Sequence, residues 1–134
     1  MLTRLVYASE TAEALSPTIV ESIVQQARSA NARRHITGML MFDRQRFLQV
    51  LEGERDAVSE VFCRIAKDPR HRRVVLLEAQ PASERYFAAW TMGFAAADAR
   101  GCELFLRFGS AAEFDPHLLS GASALGLMRA LSAG

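Results

Sequence analysis

The chain has 134 residues, half of them hydrophobic and 23% charged, which is typical of one globular domain with its own core. The formal charge of +1 gives no strong field for nucleic acid or an anionic membrane, and no signal peptide or membrane-spanning apolar run is evident. The two cysteines and three scattered histidines form no disulfide framework or metal-ligand spacing, so we expect a cytoplasmic protein without a metal site.

The beginning of the chain predicts a strand followed by an amphipathic helix. Residues 4–9 are mostly apolar and end in a polar loop, as a strand does. Ser16 followed by Pro17 is typical of a helix N-cap and the first helical position. Apolar residues then recur at helical spacing, which predicts a helix of about four turns ending near Ala30. These residues are Ile19, Val20, Ile23, Val24 and Ala27.

A hairpin, a second helix and another strand follow. Residues 36–42 form an almost continuous apolar run, which favours a strand covered on both faces. The polar turn 43–46 joins this run to residues 47–52, so the two segments form a predicted hairpin. Apolar residues at helical spacing predict a second helix over 55–67, and the apolar segment 74–79 predicts a further strand.

The last third of the chain predicts one more strand and two helices. Residues 89–94 read as the final strand, and helical pieces follow over 101–108 and after Pro116. The order βαββαβ with an added strand is typical of an α+β ferredoxin-like sheet with two helices on one face. We expect the first and third strands to run parallel and the C-terminal helical pair to cover the other face. The chain then divides into a core, 1–96, and an extension of the same domain, 97–134.

A few polar and aromatic side chains interrupt the apolar strands. Gln49 lies between two large apolar residues on one face of its strand, and Tyr7 lies in the middle of the neighbouring strand. A buried carboxamide without a partner costs about 1–3 kcal/mol, so we expect the two to hydrogen-bond. Trp90 and Met92 share one face of the predicted last strand. From this pattern alone, the set is either a hydrogen-bonded part of the core or a ligand site.

Other candidate residues have an ordinary interpretation beside a functional one. Asn31, near the end of the first helix, is either a C-cap or a ligand-binding amide. Arg28 is either a solvated helix residue or an anion contact, and the same two interpretations hold for the basic cluster 70–73. Cys63, beside the apolar stripe of the second helix, is interpreted as a core thiol.

Six segments, taken together, resemble the BLUF family, the blue-light sensors that use FAD. The resemblance covers roughly residues 2–95 and depends on the order and spacing of the segments more than on any one of them. It favours a ligand site over simple core packing for Tyr7, Asn31 and Gln49. The segments are residues 4–9, 27–31, 36–40, 47–53, 68–71 and 90–94.

The resemblance implies a role for each candidate residue. The flavin ring would lie between the first and second helices, with Asn31 on its polar edge and Ile23 beside it. Gln49 would stand between Tyr7 and the ring, and light-driven electron and proton transfer from Tyr7 would rearrange the Gln49 hydrogen bonds. The implied photoactive set is Tyr7, Gln49, Trp90 and Met92, and the implied cofactor-binding set is Tyr7, Ile23, Arg28, Asn31, Gln49, Arg70 and His71.

FAD is the implied cofactor, with FMN or riboflavin as alternatives, because the flavin ring is the part of the cofactor that the protein would bind. Arg28, Arg70 and His71 would lie toward the polar edge of the flavin or its phosphate-bearing tail. The reversible, red-shifted signalling state would pass to a separate partner protein, without catalysis by this chain. We also expect a homodimer or higher oligomer, and contact with neither nucleic acid nor membrane. One departure from the family pattern is Ala30, where members often carry a polar or ring-bearing side chain.

Two alternatives remain open on the sequence. A flavin-binding module without photoactivity would keep the same binding residues, although the presence of Tyr7 and Gln49 argues against it. A small ferredoxin-like enzyme, such as an acyl phosphatase-type hydrolase, would use Arg70 or Arg28 to bind an anion. The sequence shows no assembled nucleophile or general base, so the photoreceptor hypothesis is favoured.

Overall fold

The computed structural model describes residues 1–98 and 101–133, so positions 99, 100 and 134 of the predicted C-terminal extension lie outside it. A short 3₁₀ turn, Pro116–Leu118, precedes the last helix. The strands are β1 (Leu2–Thr11), β2 (Thr37–Phe42), β3 (Arg46–Glu54), β4 (His71–Pro81) and β5 (Gly93–Ala96). The helices are α1 (Pro17–Arg33), α2 (Arg55–Lys67), α3 (Cys102–Phe108) and α4 (Gly121–Ala133).

The five strands form one sheet in the order β4-β1-β3-β2-β5. The β1–β3, β1–β4 and β2–β3 pairs are antiparallel, and β2–β5 is parallel. The α+β ferredoxin-like prediction is confirmed, with β5 as the added edge strand. The expectation that the first and third strands run parallel was wrong. Because the helical crossover α1 brings β2 into the same direction as β1, the hairpin strand β3 between them must run opposite to both.

Local signals explain where α1 begins and how far it extends. The Oγ of Ser16 accepts a hydrogen bond of 3.3 Å from the backbone N–H of Ile19, and Pro17 opens the helix, as predicted. The helix continues past Ala30 to Arg33. Asn31 therefore lies inside the last turn, where it is buried, and does not serve as the C-cap.

The sheet separates two apolar cores. Side chains of β1 and β3 alternate in direction, so Tyr7 and Phe47 face α1 and α2, whereas Val6 and Leu48 face α3 and α4. The predicted cover of the second face by the C-terminal helices is confirmed. The core of the second face includes Phe105 from α3 and Ala124, Leu127 and Met128 from α4.

Two segments differ from the sequence-based expectations. The last strand is shorter and later than residues 89–94, because the chain turns repeatedly before β5 begins at Gly93. Cys63 is exposed and is not a core thiol, because it lies beside the apolar stripe of α2 rather than on it. Among the described residues, no helix combines the length and hydrophobicity needed to cross a membrane.

Candidate functional site

Tyr7 and Gln49 form a buried pair at the centre of the sheet. They are opposite one another in the β1–β3 register, and they are only 1% and 6% exposed. The Tyr7 hydroxyl donates a hydrogen bond to Oε1 of Gln49. Burial raises the pKa of the Tyr7 phenol well above its usual value, so the phenol keeps its proton at neutral pH.

Met92 accepts the other hydrogen bond of the Gln49 carboxamide. Nε2 of Gln49 lies 3.3 Å from the sulfur of Met92, which is 1% exposed. The carboxamide therefore has its carbonyl toward the phenol and its amide group toward the thioether. A carboxamide turned the other way would place its NH₂ group at the phenol and its carbonyl at the sulfur. Tyr7, Gln49 and Met92 thus form a directional chain of hydrogen bonds.

Trp90 and Met92 lie on opposite sides of the sheet. Met92 packs in the core under α1 and α2, whereas Trp90 packs against the core of the α3 and α4 face. The indole lies on Gly93, where a Cβ would be 2.3 Å from the ring. The expectation that both residues share one face of a strand was wrong. Both precede β5, and the irregular backbone there does not follow the two-residue period of a strand.

Two side chains of α1 reach this same segment. The amide of Asn31, which is 3% exposed, donates to the carbonyl of Thr91 at 3.0 Å. The Nε of Arg28 donates to the carbonyl of Met92 at 2.9 Å. Asn31 is therefore close to the Gln49–Met92 contact, and the structure gives Arg28 a backbone partner beside it.

The two flanks of α1 face different surroundings. Arg34, just after the helix, pairs with Glu60 of α2, whereas Ile23 is half-buried and Ala30 is exposed. Arg28 reaches toward the segment before β5. It lines a cavity of about 560 Å³ between α1 and β5, together with Leu15, Val20, Val24, Phe42 and Phe94.

The basic cluster lies at the far end of β1. Arg70 is exposed and pairs with Asp68 at 2.7 Å, and its hydrogen bonds hold the pKa of Asp68 below the usual range. The half-buried His71 ring contacts Ser9 Oγ through Nδ1 at 2.9 Å and packs on Phe47, with ring centroids 4.8 Å apart. Burial lowers the pKa of His71. This end of β1 is about four residues, or roughly 13 Å, from Tyr7.

A buried carboxylate, Glu52, is a feature that sequence reasoning missed. It is 0% exposed and forms an ion pair of 3.0 Å with Arg4. It also accepts hydrogen bonds from the hydroxyl of Thr37 and from the backbone N–H groups of Tyr86 and Phe87. These bonds anchor the segment that leads to Trp90. The available signal was the opposite charge of two residues that face one another on β1 and β3.

Comparison with known proteins identifies the chain. The family model described as sensors of blue-light using FAD matches residues 2–93. The chain belongs to the BLUF family. BLUF domains are flavin-using blue-light sensors, so the chain is a sensor of this kind. Across residues 1–98 and 101–133, no group of three or more His, Cys, Asp or Glu side chains could hold a metal ion.

Relatives with known names are of several kinds. A photoactivated adenylate cyclase subunit beta from Euglena longa is 38% identical over 92 residues, which cover 68% of this chain and 11% of that protein. The blue light- and temperature-regulated antirepressor BluF of Escherichia coli is 34% identical over 87 residues, or 65% of this chain and 22% of that protein. The solved structure of BlsA in its photo-activated state matches with a TM-score of 0.88 at 29% identity, covering 100% of this chain and 96% of that one.

Proposed function

We propose that the chain of hydrogen bonds from Tyr7 through Gln49 to Met92 is the light-responsive switch of this BLUF protein. FAD would be held non-covalently between α1 and α2, and a reversible red-shifted state would pass to a separate partner protein. The observation that carries the proposal is the orientation of the Gln49 carboxamide, which is set by one donor and one acceptor.

The chemistry of the side chains between α1 and α2 suits a flavin ring. A flavin has carbonyl acceptors and an N–H donor on its polar edge, and buried carboxamides can both donate and accept. Asn31 and Gln49 are two such groups, and both are nearly inaccessible to water. Ile23 is half-buried on α1 and would pack beside the ring. Ala30 is exposed, and its small side chain would leave room there.

The remaining predicted contacts are assigned by position. Arg70 and His71 lie at the end of β1 distant from Tyr7, which suits the phosphate-bearing tail of FAD. FMN or riboflavin would present the same ring, so they remain alternative ligands. Arg28 lies on the flank of α1 that faces β5, and we assign it a role through Met92 rather than a flavin contact.

The protein groups can supply a two-state element. Flavin, when bound, supplies the absorption of blue light and a strongly oxidising excited state. Tyr7 keeps a transferable proton because its phenol is buried and neutral. If Tyr7 gives up its proton, Gln49 loses the donor that holds its carbonyl in place. Rotation or tautomerism of the carboxamide then exchanges what it offers to each neighbour, and the sulfur of Met92 loses its donor.

The output route follows the segment that joins the two faces of the sheet. Met92 contacts Gln49 on one face, and Trp90 packs under α3 and α4 on the other. A movement of Met92 in the sensor core, 1–96, would thus be transmitted to the C-terminal extension, 97–134. A partner protein that reads this face would sense the change, and a homodimer would place two such faces in one assembly.

The test is reconstitution with FAD and absorption spectroscopy in darkness and after blue light. Wild type is expected to bind FAD, shift slightly to the red on illumination and return in the dark. Tyr7→Phe is expected to bind FAD with an unchanging spectrum. A wild-type spectrum that ignores blue light would indicate a flavin-binding module. Failure to bind any flavin would contradict the proposal and leave the Tyr7–Gln49 pair as core packing.

A further inference from the structure

Two side chains of α1 hold two consecutive carbonyl groups next to the switch. Asn31 donates to the carbonyl of Thr91 at 3.0 Å, and Arg28 donates to the carbonyl of Met92 at 2.9 Å. Residues 28 and 31 are three apart, so their side chains leave the helix on adjacent positions of one side. Together they fix the backbone immediately before β5 begins at Gly93.

This segment depends on such contacts because it is not part of the sheet ladder. On its N-terminal side, the carbonyl of Trp90 accepts from Gly38 at 3.1 Å, and the N–H of Trp90 donates to Phe87 at 3.0 Å. The pairing of β5 with β2 begins only with Gly93 opposite Met39. The carbonyls of Thr91 and Met92 lie between these two attachments, where side chains of α1 supply the donors.

The surroundings of Arg28 strengthen its hydrogen bond. Its guanidinium is half-buried and carries a permanent positive charge, and hydrogen bonds from charged donors are the stronger kind. The same cavity is lined by apolar Val24 and Phe94 and by acceptors such as Asp43, and among these groups the Arg28 Nε takes the carbonyl of Met92 as its partner. The bond is therefore well placed to resist displacement of the Met92 backbone.

We propose that Arg28 is a positioning residue of the switch, which holds Met92 where its sulfur accepts from Gln49 and so sets the dark orientation of the Gln49 carboxamide. This inference rests on the proposed function for its effect on the photocycle. Arg28 acts through the carbonyl of Met92, 2.9 Å away, and needs no contact with the flavin. The sulfur of the same residue lies 3.3 Å from Nε2 of Gln49, so the path from Arg28 to the switch is one residue long.

The direction of the effect follows from the same geometry. We assign the described conformation to darkness, in which the bond from Arg28 favours the Met92 position where Gln49 has a partner for its amide group. A state in which Met92 has moved must stretch or break that bond, and re-forming it favours the return. Without the bond, the free energy of the displaced state lies closer to that of the dark state. Thermal recovery in the dark is therefore expected to slow.

The first test measures the dark-recovery rate of FAD-loaded protein for Arg28→Met, whose side chain reaches as far as the Arg28 Nε but has no donor there. Recovery is expected to slow by about fivefold or more, the lower end of usual coupling between sites. Arg28→Lys, which keeps a charged donor, is expected to restore most of the rate. Arg33→Met, at an exposed position of the same helix, is the matched control and should recover as wild type does. If Arg28→Met does not fold, Arg28→Leu takes its place, because its side chain also has no donor.

A second readout is independent of photochemistry. Methionine labelled with ¹³C at the methyl group gives one NMR signal per residue, and Met92→Leu identifies the Met92 signal. In the dark, Arg28→Leu, which adds no methionine, is expected to move or broaden this signal and leave those of Met39, Met41 and Met128 on the opposite face unchanged. An unmoved Met92 signal together with an unchanged recovery rate would overturn the inference. A wild type without a light-induced shift would instead count against the proposed function, and the NMR signal alone would decide the role of Arg28.

Discussion

The Tyr7 hydroxyl donates to the Gln49 carbonyl across two antiparallel strands whose register places these residues directly opposite one another. A slip of one residue in either strand would send one partner to the other face of the sheet. The pairing is therefore built into the strand register and needs no flexible loop to assemble it. What remains adjustable is the carboxamide itself, since its two ends differ only in donating or accepting.

The contact between Gln49 and the sulfur of Met92 gives the first prediction. Met92→Leu keeps the buried volume almost constant and removes the acceptor, so folding and flavin binding should persist. The dark orientation of Gln49 loses one weak hydrogen bond, of about 0.5 kcal/mol, and recovery should slow roughly twofold. Dark recovery after a blue flash measures this. Met39→Leu, a buried change on the opposite face, is the control, and equal rates in the two variants would contradict the prediction.

Asn31 gives a prediction about cofactor affinity. Asn31→Ala removes a buried amide that donates to Thr91 and is proposed to meet the polar edge of the flavin. Loss of one such hydrogen bond should weaken FAD binding by about tenfold, measured by titration of flavin fluorescence. Ser29→Ala, two residues earlier at an exposed position, should leave the affinity unchanged. An Asn31→Ala protein that binds FAD as tightly as wild type would remove Asn31 from the binding site.

The buried Glu52 carboxylate gives a prediction about stability. Glu52→Gln leaves Arg4 without its charged partner in a buried position, and it places an NH₂ group near backbone donors. The free energy of unfolding should fall by about 3–5 kcal/mol, measured by urea denaturation. The control is Glu54→Gln, whose carboxylate pairs with the N-terminal ammonium in solvent and should matter far less. Similar losses in the two variants would show that Glu52 is not an anchor.

His71 gives a prediction about pH. Burial lowers its pKa, partly opposed by the charge of Asp68 and reinforced by that of Arg70, so the unfolded chain binds a proton more readily than the folded one does. The stability contributed by neutral His71 should be fully present above about pH 6.5 and be lost as the pH falls through the lower, folded-state pKa. Unfolding free energies measured across this range should fall less steeply in His71→Gln. A folded-state pKa above the usual histidine value, read by NMR titration, would contradict this account.

The pattern of apolar residues predicted most of the secondary structure because it reports which faces are buried. The Ser16–Pro17 start of α1 and the cover of the second face by the tail followed from such local signals. The prediction that β1 and β3 run parallel was wrong because strand direction is a property of the whole sheet. The prediction that Trp90 and Met92 share one face was wrong because the backbone before β5 is irregular. Only tertiary contacts decide which face each side chain reaches there.

Part of the candidate site was predictable because buried polar residues interrupt the apolar pattern of the sequence. Tyr7 and Gln49 stood out as polar groups in apolar strands, which is visible in one dimension. The link from Arg28 to Met92 joins residues 64 positions apart through a backbone carbonyl, and no side-chain pattern records such a partner. Glu52 was predicted only as the end of a strand, although its carboxylate is completely buried.

The measurement that tests the central claim most directly is the light-minus-dark infrared difference spectrum of the FAD-loaded protein, recorded for wild type and Gln49→Leu. The account predicts that illumination lowers a flavin carbonyl stretching frequency in wild type, because the rearranged Gln49 supplies a new hydrogen bond, and that Gln49→Leu shows no such change. A carbonyl frequency that stays constant while the visible spectrum shifts would contradict the proposal that Gln49 is part of the switch. A full shift of the carbonyl frequency in Gln49→Leu would contradict it as well.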